Sequence, residues 1–374
     1  MIVPGGVDRS GTDRVIDALL WQIERLARRH ELHVFATHQE PDPGEWDLLG
    51  ARVHNVGTAR GTTRRLLATF GREHRTKRFD LVHAFFGWPG VYAALIGWRH
   101  RLPVLFHATG GEFLHLRDIG YGMRSTLRGR LALRIALAGA SRVSVTSEAM
   151  QRLAPVCAQL IPIGVALDRW PVRAPRQRDT TEPIRLLHVG DIRPVKDQTT
   201  LIQAVASLLD ANVSFTLDMA GLDTTNLSSR GSGATEGSAL RASPAAQQLG
   251  DRVRWHGVLR RAPLRALMES ADLLVMSSRH EAGPVAVLEA AIAGVPTVGT
   301  SVGHIAEWAP SGAVAVPVGD AAALAREIAA IASDETRRLA IAHEAQRRAV
   351  SIDADYTASV FERVYAELCA APVV

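Results

Sequence analysis

Lysine is almost absent from this 374-residue chain. Of 43 basic residues only Lys77 and Lys196 are lysines, and the rest are arginines. With so few, no Walker-type phosphate loop can be written. Genomic composition bias accounts for the scarcity, and it makes Lys196 conspicuous. Cysteine is nearly missing too. Cys157 and Cys369 lie far apart with no metal-ligand spacing, which excludes a disulfide scaffold and makes a reducing cytoplasm the expected compartment. No apolar run reaches the roughly 18 residues that span a bilayer, and the opening MIVPGGVDRSG lacks a leader's charged-then-apolar pattern. Aromatic residues are only 5% and do not interleave with basic ones, so a nucleic-acid stacking platform is not expected.

What remains is ordinary globular composition, 47% hydrophobic and 22% charged with a net charge of +5, in a chain long enough for two domains. Ile2 and Val3 read as the tail of a strand. Buried-strand runs follow at 33–36, 81–83, 104–107, 142–146 and 159–163. An amphipathic helix is expected over 12–29, from Val15, Leu19, Ile23 and Leu26. The stretch PVRAPRQRDTTEP reads as an interdomain linker. The alternation then restarts. Strands are expected at 185–189, 214–220, 253–255, 273–276 and 297–298, and helices at 195–209, 262–269, 285–293 and 321–332. Residues 224–243, small and polar, read as a flexible insertion. Alternating strands and helices in both halves imply α/β domains with parallel sheets that bind ligands beyond the strands' carboxyl ends.

Two stretches carry chemistry. In SRHEAGPVAVLEAAIAGVPTVGTSVGHIAEW a buried strand gives way to a loop with Glu281, and Pro284 suits the first turn of a helix that contains Glu289. The helix start around Gly283, Pro284 and Val285 offers free N–H groups to phosphate, and a carboxylate on each side can grip sugar hydroxyls. In LLHVGDIRPVKDQTTLIQA a strand ends at Gly190, and the next loop carries Arg193 and Lys196, two cations able to neutralise a departing diphosphate. The blander reading of each is a solvated surface charge.

These stretches resemble the donor site of retaining glycosyltransferases of the GT-B fold, family 4 (glycosyl transferases group 1). Gly190 to Lys196 is similar to the family's Gly-x5-Lys loop, and Glu281 to Glu289 to its Glu-x7-Glu motif. Gly5-Gly6, RRHELHVFA, FDLVHAF, LIPIGVALDRW and LGDRVRWHGVL resemble further family segments in the same order. The resemblance implies two Rossmann-like α/β domains facing a central cleft. The acceptor-side domain is expected at 1–168, the donor domain at 169–352, and a C-terminal helix at 353–374 packing back on the first. It implies a metal-independent, retaining transferase with no cofactor, using a nucleotide-sugar such as a UDP- or GDP-sugar. The acceptor would belong to a polysaccharide, glycolipid or glycosylated metabolite. Lys196 with Arg193 would bind diphosphate, Glu281 the transferred sugar, Glu289 the ribose, backbone at Gly283, Pro284 and Val285 phosphate or sugar, and backbone near Val258 the base. On the acceptor side it points to Gly5, Gly6, Gly111 and Glu112, and to a catalytic histidine for which His107 stands nearest. Glu112 also reads as a helix-start residue, and His107 as a structural one.

This chain departs from the family at Asp191, where arginine is usual, at Ile163 in place of asparagine, at His304 in place of a glycine, and at Thr109 where the histidine is expected. The departures keep open a binding protein that has lost transfer. Gly299 to Gly303 also matches a hydrolase nucleophile elbow at Ser301, with Asp320 and His343 available downstream. Asp353-Ala354-Asp355 reads as a helix cap rather than a metal motif. Gly231, Gly233 and Gly237 lack the strand and helix of a dinucleotide fingerprint, and His30 and His33 are too close for a metalloprotease helix. Two arginine-aliphatic segments, 60–78 and 124–142, read either as solvated amphipathic helices or as peripheral contacts with anionic lipid on the inner face of the membrane.

Overall fold

The computed structural model describes residues 1–58, 61–223 and 235–370. Two compact units form, one from Met1–Ala166 with Ile352–Val374 and the other from Leu167–Ser351. The first runs β1 (Ile2–Val3), α1 (Asp17–Ala27), β2 (His33–Ala36), β3 (Gly44–Leu48), β4 (Ala51–Asn55), α2 (Thr62–Thr76), β5 (Val82–Phe85), α3 (Gly87–His100), β6 (Val104–Ala108), α4 (Leu127–Ala138), β7 (Arg142–Val145), α5 (Glu148–Leu153) and β8 (Gln159–Leu160). Its sheet has the order β3-β4-β2-β1-β5-β6-β7-β8 and is parallel except for the edge strand β3.

The second unit runs β9 (Ile184–Val189), α6 (Gln198–Asp210), β10 (Phe215–Ala220), α7 (Glu236–Arg241), α8 (Pro244–Leu249), β11 (Val253–Gly257), α9 (Arg261–Ser270), β12 (Leu273–Met276), α10 (Val285–Ile292), β13 (Thr297–Thr300), α11 (Gly303–Trp308), β14 (Val314–Val316), α12 (Ala321–Ser333) and α13 (Glu335–Ser351). Its six strands are all parallel, in the order β11-β10-β9-β12-β13-β14. Numbered within the unit, that is 3-2-1-4-5-6, the doubly wound order, whose direction reverses between β9 and β12. Strands buried on both faces need apolar side chains throughout, as in LLVM of β12.

The chain returns to the first unit as α14 (Ala354–Ala370). Asp353 caps it by accepting from the Tyr356 N–H at 2.7 Å, and Asp355 binds the buried Arg25 of α1 at 3.0 Å. Phe361 of α14 is fully buried beside β1, β2 and β5 residues. Among the described residues no helix is long and apolar enough to cross a membrane. Both cysteines are exposed and unpaired.

The structure corrects several expectations. The hairpin β3–β4 was not among the expected elements, since Leu49 and Gly50, rather than Asn-Gly, take the two positive-φ turn positions. Helix α1 starts at Asp17, since the preceding residues fold back to the glycine loop, with Ile16 N–H on the Gly6 carbonyl. The segment read as a linker belongs to the second unit. Its Arg178 is buried, with its backbone N–H held by Glu335 at 2.8 Å and its guanidinium on the Glu182 carbonyl. Of the segment read as a flexible insertion, Glu236–Arg241 is helical, capped by Thr235, and Gly237 sits in it. Gly231 and Gly233 lie outside the described residues.

Thr357 joins the strand exit to the returning helix. Its hydroxyl accepts from Gly164 N–H at 2.9 Å and donates to the Pro162 carbonyl at 2.8 Å, fully buried. Thr357→Val keeps the shape and strands both backbone groups. It should destabilise the first unit by about 1–3 kcal/mol, read as a lower denaturant midpoint.

Candidate functional site

The loops after β9 and β12 flank the point where the strand order of the second unit reverses, the usual ligand position of such a sheet. They are tied together there. Lys196 Nζ donates to Glu281 Oε1 at 2.6 Å, and Ser278 Oγ donates to the same oxygen at 2.6 Å. Ser277 Oγ donates to the Lys196 carbonyl at 2.9 Å, and Arg279 N–H to the Val195 carbonyl at 2.8 Å. Glu281 is largely buried while Lys196 stays partly open, with side-chain exposures of 10% and 24%.

Local chemistry explains why the chain turns here. Asp197 adopts a left-handed conformation and caps α6, its carboxylate accepting from the Thr200 hydroxyl at 2.7 Å. Helix α6 therefore begins at Gln198, and Lys196 stands in the loop rather than inside the helix. Gln198 donates to the Asp191 carbonyl at 2.9 Å and to His188 Nε2 at 3.3 Å. His188 Nδ1 sits 2.9 Å from the Val275 carbonyl, so Nδ1 carries the proton and Nε2 accepts. Burial first of all, with the Lys196 charge adding, lowers this imidazole to about 4.

Beyond Glu281 the loop passes Gly283 to Pro284, which gives α10 no side-chain cap. The first N–H groups of α10 form the positive end of its dipole. Glu289 lies buried in its second turn. Gly303, at φ +49, presses on this loop, where a Cβ would meet Pro284 Cδ at 2.9 Å and Glu281 Cβ at 3.1 Å. Gly190 stands at the end of β9, beside Lys196. Arg193 is exposed and acts electrostatically on Glu236 of α7. Val258, just past β11, is 67% exposed. Sequence reading missed Ser278 and Gln198, whose only signal is their place directly after a buried strand and at a helix start.

The first unit holds the other candidates. Gly5 and Gly6 follow β1, and Phe86 and Gly87 follow β5, again at the reversal of strand order. Gly6 has φ +81 and no room for a Cβ, which would lie 2.5 Å from Ile16 Cγ1. Glu112 is buried, and both its oxygens are used. It accepts from Gly87 N–H at 3.1 Å and Gly110 N–H at 2.7 Å, fixing the loop to the start of α3, while burial pushes its pKa above the usual carboxylate range. Gly111 lies against Tyr121. His107 corrects the expectation that it reaches an open site. It is 0% exposed, bonded to Ser144 Oγ at 2.8 Å and walled by Phe85 and Phe361, and burial lowers it to about 3. A neutral core imidazole is what the packing requires.

The hydrolase reading finds no geometry. Ser301 lacks the strained positive φ of an elbow, Asp320 is spent capping α12 through Ala323 N–H at 2.8 Å, and no described histidine bonds Ser301.

The depressed His188 gives a pH prediction. Between about 6.5 and 4 the unfolded chain binds the proton and the folded one does not. Stability is therefore full above about 6.5 and falls with pH, by up to about 1.4 kcal/mol per pH unit for this group. His188→Asn, which keeps a donor towards Val275, should flatten that slope by one proton in denaturant titrations across this window.

Comparison with known proteins accords with this architecture. The family described as Glycosyl transferases group 1 matches residues 169–348, and the Glycosyl transferase 4-like domain matches residues 15–156. The chain is 30% identical over 227 residues to a glycogen synthase of Mycobacterium tuberculosis, and 33% identical over 184 residues to a D-inositol 3-phosphate glycosyltransferase of Salinispora tropica. These alignments take in 59% and 49% of this chain, and span only 52% and 38% of those relatives. Among solved structures, sucrose-phosphate synthase from Thermosynechococcus elongatus superposes with a TM-score of 0.78 at 20% identity, covering 99% of both chains. Anabaena HepE, solved with UDP and glucose, gives 0.72 at 19%, covering 98% of this chain and all of its own. With two parallel-sheet α/β units and both family matches, the chain belongs to the group 1 glycosyltransferases of the GT-B fold.

Proposed function

We propose that this protein transfers a sugar from a nucleotide diphosphate-sugar to a hydroxyl acceptor, with retention of anomeric configuration and no metal in the chemical step. The observation that carries the reading is the Lys196–Glu281 pair across the strand-order reversal, beside the uncapped start of α10. In this reading Lys196 turns to the donor diphosphate, helped by Arg193 and by the N–H groups from Gly283 to Val285. Charge grows on that diphosphate as the glycosidic bond breaks, so a fixed cation there lowers the barrier more than it tightens ground-state binding. Glu281, held by Ser278, contacts the transferred sugar. Glu289 takes the ribose hydroxyls, and the exposed backbone at Val258 the base. HepE was solved with UDP and glucose, which supports a UDP-sugar, with a GDP-sugar as the other choice.

The acceptor in this reading belongs to a polysaccharide, glycolipid or glycosylated metabolite. A lipid-linked one is supported by the surface around α4, where Leu127 and Leu131 are 81% and 60% exposed and Arg128 lies over the exposed Trp88. Residues 87–142 hold eight arginines against two acids, Glu112 and Asp118, and Glu112 is buried. Such a face suits an anionic bilayer surface.

Thermal unfolding with UDP, GDP, ADP and their sugar conjugates tests the donor site, because a ligand of the folded state alone raises the melting temperature. One nucleotide should give a selective rise that EDTA leaves unchanged and Lys196→Ala abolishes. Lys196→Ala and Glu281→Gln should each lower kcat by about 10²–10³-fold with the fold intact. Wild-type turnover in both variants would remove the site assignment, and binding without donor consumption would mark a protein that has lost transfer. In vesicle co-sedimentation the protein should prefer phosphatidylglycerol to phosphatidylcholine. Leu127→Ser with Leu131→Ser should weaken that binding by about tenfold or more, and equal binding to both vesicle types would dismiss the surface.

A further inference from the structure

Outside the donor loops, one cluster of side chains in the first unit has the chemistry of a metal site. The register of the sheet places Phe35 of β2 beside His54 of β4, and Glu45 of β3 beside His54 on the other side. His33, two residues before Phe35, shares its face. Helix α2 brings Glu73 to the same face. His33 Nδ1 and His54 Nε2 lie 2.9 Å apart, and Glu73 Oε2 is 4.0 Å from His33 Nδ1. One donor atom from each of the three lies within 4.8 Å of the others.

We infer that His33, His54 and Glu73 bind a zinc-class divalent cation that staples β2, β4 and α2 together. Ligand bonds of about 2.0–2.2 Å in a tetrahedron put donor atoms roughly 3.3 Å apart, and the present separations straddle that value. Each imidazole is backed by a carboxylate, the arrangement that orients metal-bound histidines. His54 Nδ1 lies 3.2 Å from Glu45 Oε1, and His33 Nε2 lies 3.7 Å from Glu31 Oε1. Arg72 Nε holds Glu73 through Oε1 at 2.7 Å, the oxygen not facing His33. The outer carboxylates are themselves paired, Glu45 with Arg52 and Arg72 and Glu31 with Lys77. Stacking between the His33 and His54 rings, 5.1 Å apart, and on Phe35 fixes their planes. A cavity of about 580 Å³ reaches His33 and gives an ion a route, and His33 and Glu73 are both partly exposed. A fourth position is left to water.

The three ligands come from two strands and a helix, with wide gaps in the chain, so no local motif announces them. The cation would act on the fold of the first unit, and the inference stands apart from the donor site of the second.

Protein stripped with EDTA, desalted and titrated with Co²⁺ should bind one equivalent, with the visible absorption of a four-coordinate ion, and Zn²⁺ should displace it. Zn²⁺ should also raise the melting temperature. Glu45→Gln, behind the ligand, should weaken the metal by about 10–100-fold. His33→Gln and Glu73→Gln should abolish the band. Glu73 is partly exposed on α2, so its variant keeps the test valid should a histidine variant misfold, with circular dichroism as the check. The absence of a saturable one-to-one band in the wild type, or its persistence in both folded ligand variants, would overturn the site.

Discussion

The second unit is organised around one ion pair, Lys196 with Glu281, placed where the sheet changes direction. Removing two opposite charges from water carries a desolvation penalty that their attraction offsets only with good geometry and extra hydrogen bonds. Both are present. Ser278 supplies a second donor to the carboxylate, and Ser277 and Arg279 lock the two loops backbone to side chain and backbone to backbone. Stability alone does not call for such a pair, since an apolar contact would do as well. A cation left partly open at the carboxyl end of a parallel strand is instead a group free to change partners when an anion arrives.

The same architecture in the first unit is filled differently. Its reversal point also collects two loops, at Gly5-Gly6 and at Phe86-Gly87. There the polar groups satisfy one another. Glu112 takes two backbone N–H groups, and Asp8 takes the Ser10 hydroxyl and the Arg14 guanidinium. One unit thus presents an exchangeable charge at its reversal point, and the other presents loops whose carboxylates are already paired.

Strands flanked by helices were legible because double burial demands continuous apolar runs, as in the residues of β12. The hairpin β3–β4 was not, because Leu49 occupies a left-handed turn position that asparagine or glycine normally marks. Strand β14, three residues long, offers too little pattern to stand out. At the loops after β9 and β12, sequence named Lys196, Glu281 and Glu289. It could not see that Lys196 and Glu281 touch, since contact across 85 positions follows from strand order alone. Among the histidines only His107 was read as a candidate, and as a structural residue beside that. His107, His188 and His83 are all fully buried imidazoles held neutral by desolvation, and nothing in the sequence separates such a core histidine from a catalytic one. The pair His33 and His54, which geometry singles out, lies on β2, which the sequence showed, and on β4, which it did not.

The positions where this chain departs from its family bear on whether the proposed donor site is intact. Asp191 replaces an expected cation, yet its carboxylate accepts from the Leu222 N–H at 2.9 Å and braces the loop after β9 against the end of β10. Ile163 replaces a polar residue and fills the apolar core beside Phe361 of α14. His304 replaces a glycine at the start of α11. Its ring lies buried, stacked on Trp308 at 5.5 Å, with Nδ1 3.2 Å from Glu307. Loss of selection on a site leaves substitutions that strand polar groups or open cavities in their surroundings. By that measure the departures divide: Asp191 and Ile163 are absorbed by local bonding and packing, whereas His304 Nε2 and Thr109 Oγ1 are buried without a hydrogen-bond partner among the described residues. The mutually bonded Lys196, Glu281 and Ser278 support an intact site in the proposed reading, and the test of it falls on His304, next in the chain to Gly303, whose buried Nε2 has no hydrogen-bond partner among the described residues.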